Sequence, residues 1–98
     1  MIQVTDLLVT KTNQSFDNID DWLEAHGNCG THHEEIVEIR LILSEDGLSV
    51  KRISVFQSLE ELVEFEERRS AVRRLQGLGD NDRMYQVTRI QEPEEITI

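Results

Sequence analysis

The 98-residue chain predicts an α+β domain in the order β-α-β-β-α-β, a four-stranded antiparallel sheet carrying two helices on one face. Three observations predict it. Val37, Ile39, Leu41 and Leu43 recur with the period of two that marks a strand with one buried face. Asp46-Gly47 follows, a strong signal for a tight reversal, and the arm after it is rich in β-branched residues. On either side of this hairpin, the stretches around Phe16–Leu23 and Leu59–Phe65 place apolar side chains at helical spacing.

The first strand is expected over residues 2–9. Its alternation is imperfect, because Asp6 shares a face with Ile2, Val4 and Leu8. Residues 11–14 form a polar turn, after which Ser15 or Asp17 caps a short helix. Phe16, Ile19 and Leu23 give that helix one apolar face, and Trp22 flanks the stripe. Asp17, Asp20 and Asp21 occupy the first turns, where the helix dipole favours negative charge, and His26-Gly27 ends the helix. A helix of about ten residues is marginal alone, so docking on the sheet must hold it.

The register of the hairpin depends on the length of its loop. A two-residue loop sets Leu41 opposite Arg52 and Ile39 opposite Ser54, which wastes the apolar face. A three-residue loop over Glu45-Asp46-Gly47, with Gly47 left-handed, sets Ile39 opposite Ile53 and Val37 opposite Val55, and this register is expected. It leaves Ile36, Ile42, Val50 and Phe56 on the other face, a candidate self-association surface.

Ser58-Leu59-Glu60-Glu61 reads as a capping box opening a helix that runs to Leu75 or Gln76. Leu59, Leu62, Val63 and Phe65 supply its apolar face. Residues 66–70 are wholly polar, so the second half projects beyond the core or packs on something else. Gly77-Leu78-Gly79 stops the helix, and residues 80–82 form a polar loop. A fourth strand over residues 84–91 is broken by Pro93. The domain is thus residues 1–92, with 93–98 a tail that is disordered or adds an edge strand. Two split β-α-β units fold most economically in the ferredoxin-like arrangement.

Charge narrows the function classes. The net charge is −10, from 20 acidic and 10 basic side chains. The acids are spread evenly; the bases are not, with only Lys11 in residues 1–30 against Arg68, Arg69, Arg73 and Arg74 in residues 58–76. An acidic field repels phosphate backbones and membrane surfaces and attracts basic proteins, so direct nucleic-acid and membrane binding are disfavoured. No apolar run approaches the roughly 20 residues that cross a bilayer. No secretory signal is read at Met1, and the single Cys29 fits a reducing, cytoplasmic setting.

All three histidines and the cysteine fall in residues 26–33. His26, Cys29 and His32 offer nitrogen and sulfur donors suited to zinc, with Glu34 available to complete a set, but a structural site ordinarily draws a second ligand pair from elsewhere. The same residues also read as a helix terminator and a solvated loop. A Cys29 nucleophile would need an orienting partner and an oxyanion hole that adjacency does not provide. Gly77-x-Gly79 lacks the remainder of a nucleotide-binding loop.

The expected function is therefore non-enzymatic and cofactor-free: a small acidic domain of inhibitor or adaptor type that engages a basic protein surface, nucleic-acid-binding proteins included. By analogy of charge and size it resembles phage-encoded inhibitors and immunity proteins, which present carboxylates where phosphates would lie. Asp17, Asp20, Asp21 and Glu24 on the first helix, and Glu60, Glu61, Glu64 and Glu67 on the second, are the expected contacts. The alternatives are a zinc module on His26, Cys29 and His32, and a small enzyme on a homodimeric scaffold with a pocket near Tyr85 or His33.

Overall fold

A computed structural model of the chain describes residues 1–11, 14–26, 35–77 and 85–97. The elements are β1 (Ile2–Thr10), α1 (Ile19–His26), β2 (Ile36–Leu43), β3 (Ser49–Phe56), α2 (Leu59–Leu75) and β4 (Tyr85–Glu95). The strands form one sheet in the order β2-β3-β1-β4, with every neighbouring pair antiparallel. The class is α+β, as the sequence predicts.

Register assigns the faces. Val4, Asp6 and Leu8 of β1 stand opposite Ser54, Arg52 and Val50 of β3, and this face carries both helices. The core on it is divided. One cluster joins Leu8 and Val50 to Phe16 and Trp22, which α1 and its approach bring down. The other joins Val4 and Phe56 to Leu62 of α2. Trp22 is the hub of the first cluster, only 1% exposed, whereas the periodicity placed it at the flank of the stripe.

The start of α1 departs from the expected cap. Asn18, rather than Ser15 or Asp17, accepts the Asp21 amide through Oδ1 at 2.9 Å. Ser15 is used elsewhere: its hydroxyl donates to the Asp46 carbonyl at 2.6 Å, while the Phe16 amide donates to the Gly47 carbonyl at 2.9 Å. These bonds tie the approach to α1 onto the hairpin turn. Gly47 is left-handed at φ 72, and a Cβ there would lie 2.3 Å from the Phe16 carbonyl oxygen, so both backbone sign and space demand glycine.

The hairpin register is corrected. Leu41 stands opposite Arg52 and Ile39 opposite Ser54, the pairing that the apolar pattern disfavours. It is reached through a longer connection. Ser44 pairs with Ser49, and the Gly47 amide closes the turn on the Ser44 carbonyl at 3.0 Å. Asp46 Oδ1 accepts from the Ser44 hydroxyl at 2.6 Å and the Leu48 amide at 3.0 Å. The Ser44 hydroxyl, with the Leu48 amide behind it, holds the Asp46 carboxylate below its ordinary pKa of 3.8. Two physical facts overturn the apolar match. The turn pairs its polar groups at this length, and Arg52 is held on the covered face by Asp6.

The fourth strand also runs past its expected end. Pro93 lies within β4, between Gln91, which pairs with Thr5, and Glu94, which pairs with Gln3. The register shifts there, and β4 is an edge strand, so a residue without an amide proton is tolerated. Beyond it the Ile96 amide donates to the Met1 carbonyl at 2.8 Å. The segment expected as a tail is thus an extension of the edge through residue 95.

α2 matches its boundaries. The Ser58 hydroxyl accepts the Glu61 amide at 3.2 Å, and Gly77 past the end is left-handed. Leu62 alone of its residues is buried, and Val72 and Leu75 in the second half are exposed. No helix among the described residues is long and apolar enough to cross a membrane.

Candidate functional site

The gap between the two core clusters is filled by charge. Asp6 is the mid-point of β1, and register puts Arg52 of β3 on one side of it and Arg89 of β4 on the other. Arg52 donates to Asp6 Oδ2 at 3.2 Å and Arg89 to Asp6 Oδ1 at 3.1 Å. The Asp6 side chain is 4% exposed, and those of Arg52 and Arg89 are 20% and 30% exposed. Glu66 of α2 reaches down to the other side of Arg89. Burial of Arg89 works against its charge, but the bonds to Glu66 and Asp6 outweigh it and raise its pKa above the ordinary guanidinium value. The result is a row of fixed charges. Arginine does not release its proton in any working range, so neither Arg52 nor Arg89 can serve as an acid or base.

Above this row lies a cleft of about 730 Å³ between α2 and the sheet. Its apolar lining includes Val4, Phe56, Leu62 and Phe65, with the two phenylalanine rings 5.4 Å apart and tilted at 50°. Along α2 the lining changes from apolar to basic, as Leu62, Phe65 and Glu66 give way to Arg69, Ser70 and Arg73. The Arg69 guanidinium lies 5.7 Å from the Phe65 ring centroid, within cation–π range. The second half of α2, which the polar run at residues 66–70 set apart from the core, therefore forms the wall of this cleft.

The sequence reading missed the site, although one signal pointed to it. Asp6 stood on an apolar face, and a buried carboxylate requires a partner. Which arginines would answer was invisible, since both come from distant strands.

The predicted contact residues are placed as follows. Asp17, Asp20, Asp21 and Glu24 are all exposed, and none makes an ion pair with the described residues; Asp21 accepts from the Asn18 amide group at 3.1 Å. Glu60, Glu64 and Glu67 on α2 are exposed and Glu61 is half-buried at the cap. Glu64 lies 4.0 Å from Arg68, whose stronger partner is Glu35 at 2.9 Å. The four residues expected to form a self-association face are not brought together. Val50 and Phe56 are buried in the covered face and Ile36 packs beside them, while Ile42, half exposed, pairs with Lys51 on the other face. The corrected register is the reason. His26 closes α1, but its side chain lies outside the described residues, as do Cys29, His32, His33, Glu34 and the Tyr85 side chain. No family model, no curated protein and no solved structure matches the chain.

Proposed function

We propose that this chain is a small acidic, non-enzymatic domain that binds a basic protein surface, with the α1 carboxylates as its principal contacts. The observation that carries this is the state of those carboxylates. Asp17, Asp20, Asp21 and Glu24 stand exposed along one stretch with no ion pair to the described residues; on α2 Glu64 and Glu66 face arginines, while Glu60, Glu61 and Glu67 have no ion pair to the described residues. Uncompensated exposed charge is what steers a partner of opposite sign. A cytoplasmic setting for this binding is supported by the lone cysteine. A ferredoxin-like outline is part of the reading: counted from the β4 edge the strand order is β4-β1-β3-β2, the order two split β-α-β units give.

The test is affinity capture from the native host with the full chain and with the Asp17→Asn, Asp20→Asn, Asp21→Asn, Glu24→Gln variant. Wild-type capture of a basic protein should weaken steeply as salt is raised, because exposed charges are screened beyond about 8 Å at physiological ionic strength. The neutralised variant should lose the partner while keeping its circular dichroism spectrum. Capture that is indifferent both to salt and to the four substitutions overturns the proposal.

A second reading, self-association, moves to a different surface. β2 is an edge strand with Val37 and Ile42 42% and 50% exposed. Glu38 and Arg40 alternate on it, 3.8 Å apart at closest. Antiparallel pairing with a second copy about a two-fold axis at Ile39 would set each Glu38 across from the partner's Arg40.

A further inference from the structure

We infer that β2 takes an extended segment of the basic partner as a further strand of the sheet, with Lys or Arg at alternate positions beneath α1, an inference that rests on the α1 carboxylates being that partner's contacts. The sheet has two edges, and only one is guarded. β4 carries Pro93, register shifts in its pairing with β1, and the exposed acids Glu92, Glu94 and Glu95, all of which discourage another strand. β2 has neither proline nor glycine, its register shift lies before Glu38, and its two charges, on Glu38 and Arg40, are of opposite sign. The phase of the ladder shows which groups this edge offers. The Ser44 amide donates to the Ser49 carbonyl at 2.9 Å, so the bonded pairs continue at Ile42 with Lys51 and at Arg40 with Ile53. Ile39, Leu41 and Leu43 fall between them and turn their N–H and C=O groups away from β3. No strand among the described residues takes up that side of β2.

What sits over this edge decides the chemistry of the segment. α1 lies nearer to β2 than to any other strand. Trp22 turns from α1 towards the middle of the sheet, where it meets Leu8 and Val50. At about 100° per residue, Asp20 and Glu24 each lie about 160° around the helix from Trp22, on the flank towards the β2 edge. Both are exposed. They stand about 6 Å apart along the helix, close to the separation of about 6.8 Å between alternate residues of a strand. A strand bonded to Ile39, Leu41 and Leu43 sets the side chains opposite them on the α1 face of the sheet. Lys or Arg there runs its aliphatic stem along the half-buried Leu41 and Leu43 and brings its charge to Asp20 and Glu24. The intervening residues lie on the open face beside Glu38, Arg40 and Ile42, where the charges cancel and neutral β-branched residues suit the strand. A second copy of the chain at this edge would bring its own α1 acids on to the same face, so a basic segment is the better match. Backbone bonds supply the affinity in such strand addition, and alternate side chains supply the specificity.

The probe is the end-blocked peptide Lys-Val-Lys-Val-Lys-Val-Lys-Val, equal to β2 in length, titrated calorimetrically into the intact chain at low salt. Its lysine amides are the ones that bond to β2. N-methylation of the lysine amides should weaken binding at least about tenfold, whereas N-methylation of the valine amides, with the same charge, should leave it within about threefold. Ile39→Pro, which removes an outward amide and no ladder bond, should weaken the parent peptide similarly with an unchanged circular dichroism spectrum. The methylated peptides decide the matter if that variant does not fold. Failure of the parent peptide to bind, or equal binding of the two methylated forms, overturns the inference. A dimer of the chain that excludes the peptide assigns the edge to a second copy and also overturns it. The variant neutralised at Asp17, Asp20, Asp21 and Glu24 separates the two proposals. Affinity lost in that variant but indifferent to the site of methylation overturns the added strand and leaves the α1 contacts standing; affinity that needs the lysine amides but is unchanged in that variant overturns both.

Discussion

Asp6 is the residue on which the sheet face turns. It is 3% exposed, flanked by Val4 and Leu8 along its strand, and bonded to two arginines that are themselves largely covered. Removing one partner of a buried ion set leaves the other charges without compensation, typically at 3–5 kcal/mol, and the partial exposure of both arginines argues for the lower end. Asp6→Asn should therefore lower the unfolding free energy by about 3 kcal/mol in a denaturant titration. A loss of less than about 1 kcal/mol would mean that solvent, and not Asp6, satisfies Arg52 and Arg89. Replacing the whole set with apolar groups of the same volume is a different experiment and need not destabilise, since the cost of desolvating the charges offsets their mutual attraction.

At the scale of the element, α1 shows how little a short helix holds by itself. It has eight residues, an Asn18 cap and acids in its first turn, which suit its start but do not sustain it. Its attachment comes from Trp22 and Phe16 on Leu8 and Val50, and from the bonds that Ser15 and Phe16 make to the hairpin turn. Trp22→Ala should cost about 3–5 kcal/mol and loosen α1 selectively. Hydrogen exchange is the discriminating measurement: amides of α1 should exchange faster relative to those of β1 and β3, and uniform acceleration would show that α1 and the sheet open as one unit. The hairpin carries the complementary lesson. Its strands, its turn residues and the left-handed Gly47 are legible locally, yet its register is not, because Arg52 has a reason to face inward that lies on another strand.

For the whole molecule, charge is unevenly placed: α1 carries exposed acids, while Arg52, Arg69, Arg73 and Arg89 line the cleft between α2 and the sheet. The β2 edge is where this scale yields its own prediction. If two copies pair there, light scattering should give twice the chain mass at high concentration. Glu38→Arg should shift the population towards monomer by setting like charges across the two-fold axis, and adding Arg40→Glu should restore it. A chain that stays monomeric at every concentration overturns that reading. Much of this architecture was legible beforehand. The six elements, the Ser58 cap, the Gly77 stop and the α+β class followed from residues that interact within about four positions, where spacing along the chain is spacing in space. The tertiary structure alone decided the register of β2, the passage of β4 through Pro93 and the cleft. Its charged row joins residues 46, 83 and 23 positions apart, and contacts of that separation leave no periodic trace in a sequence.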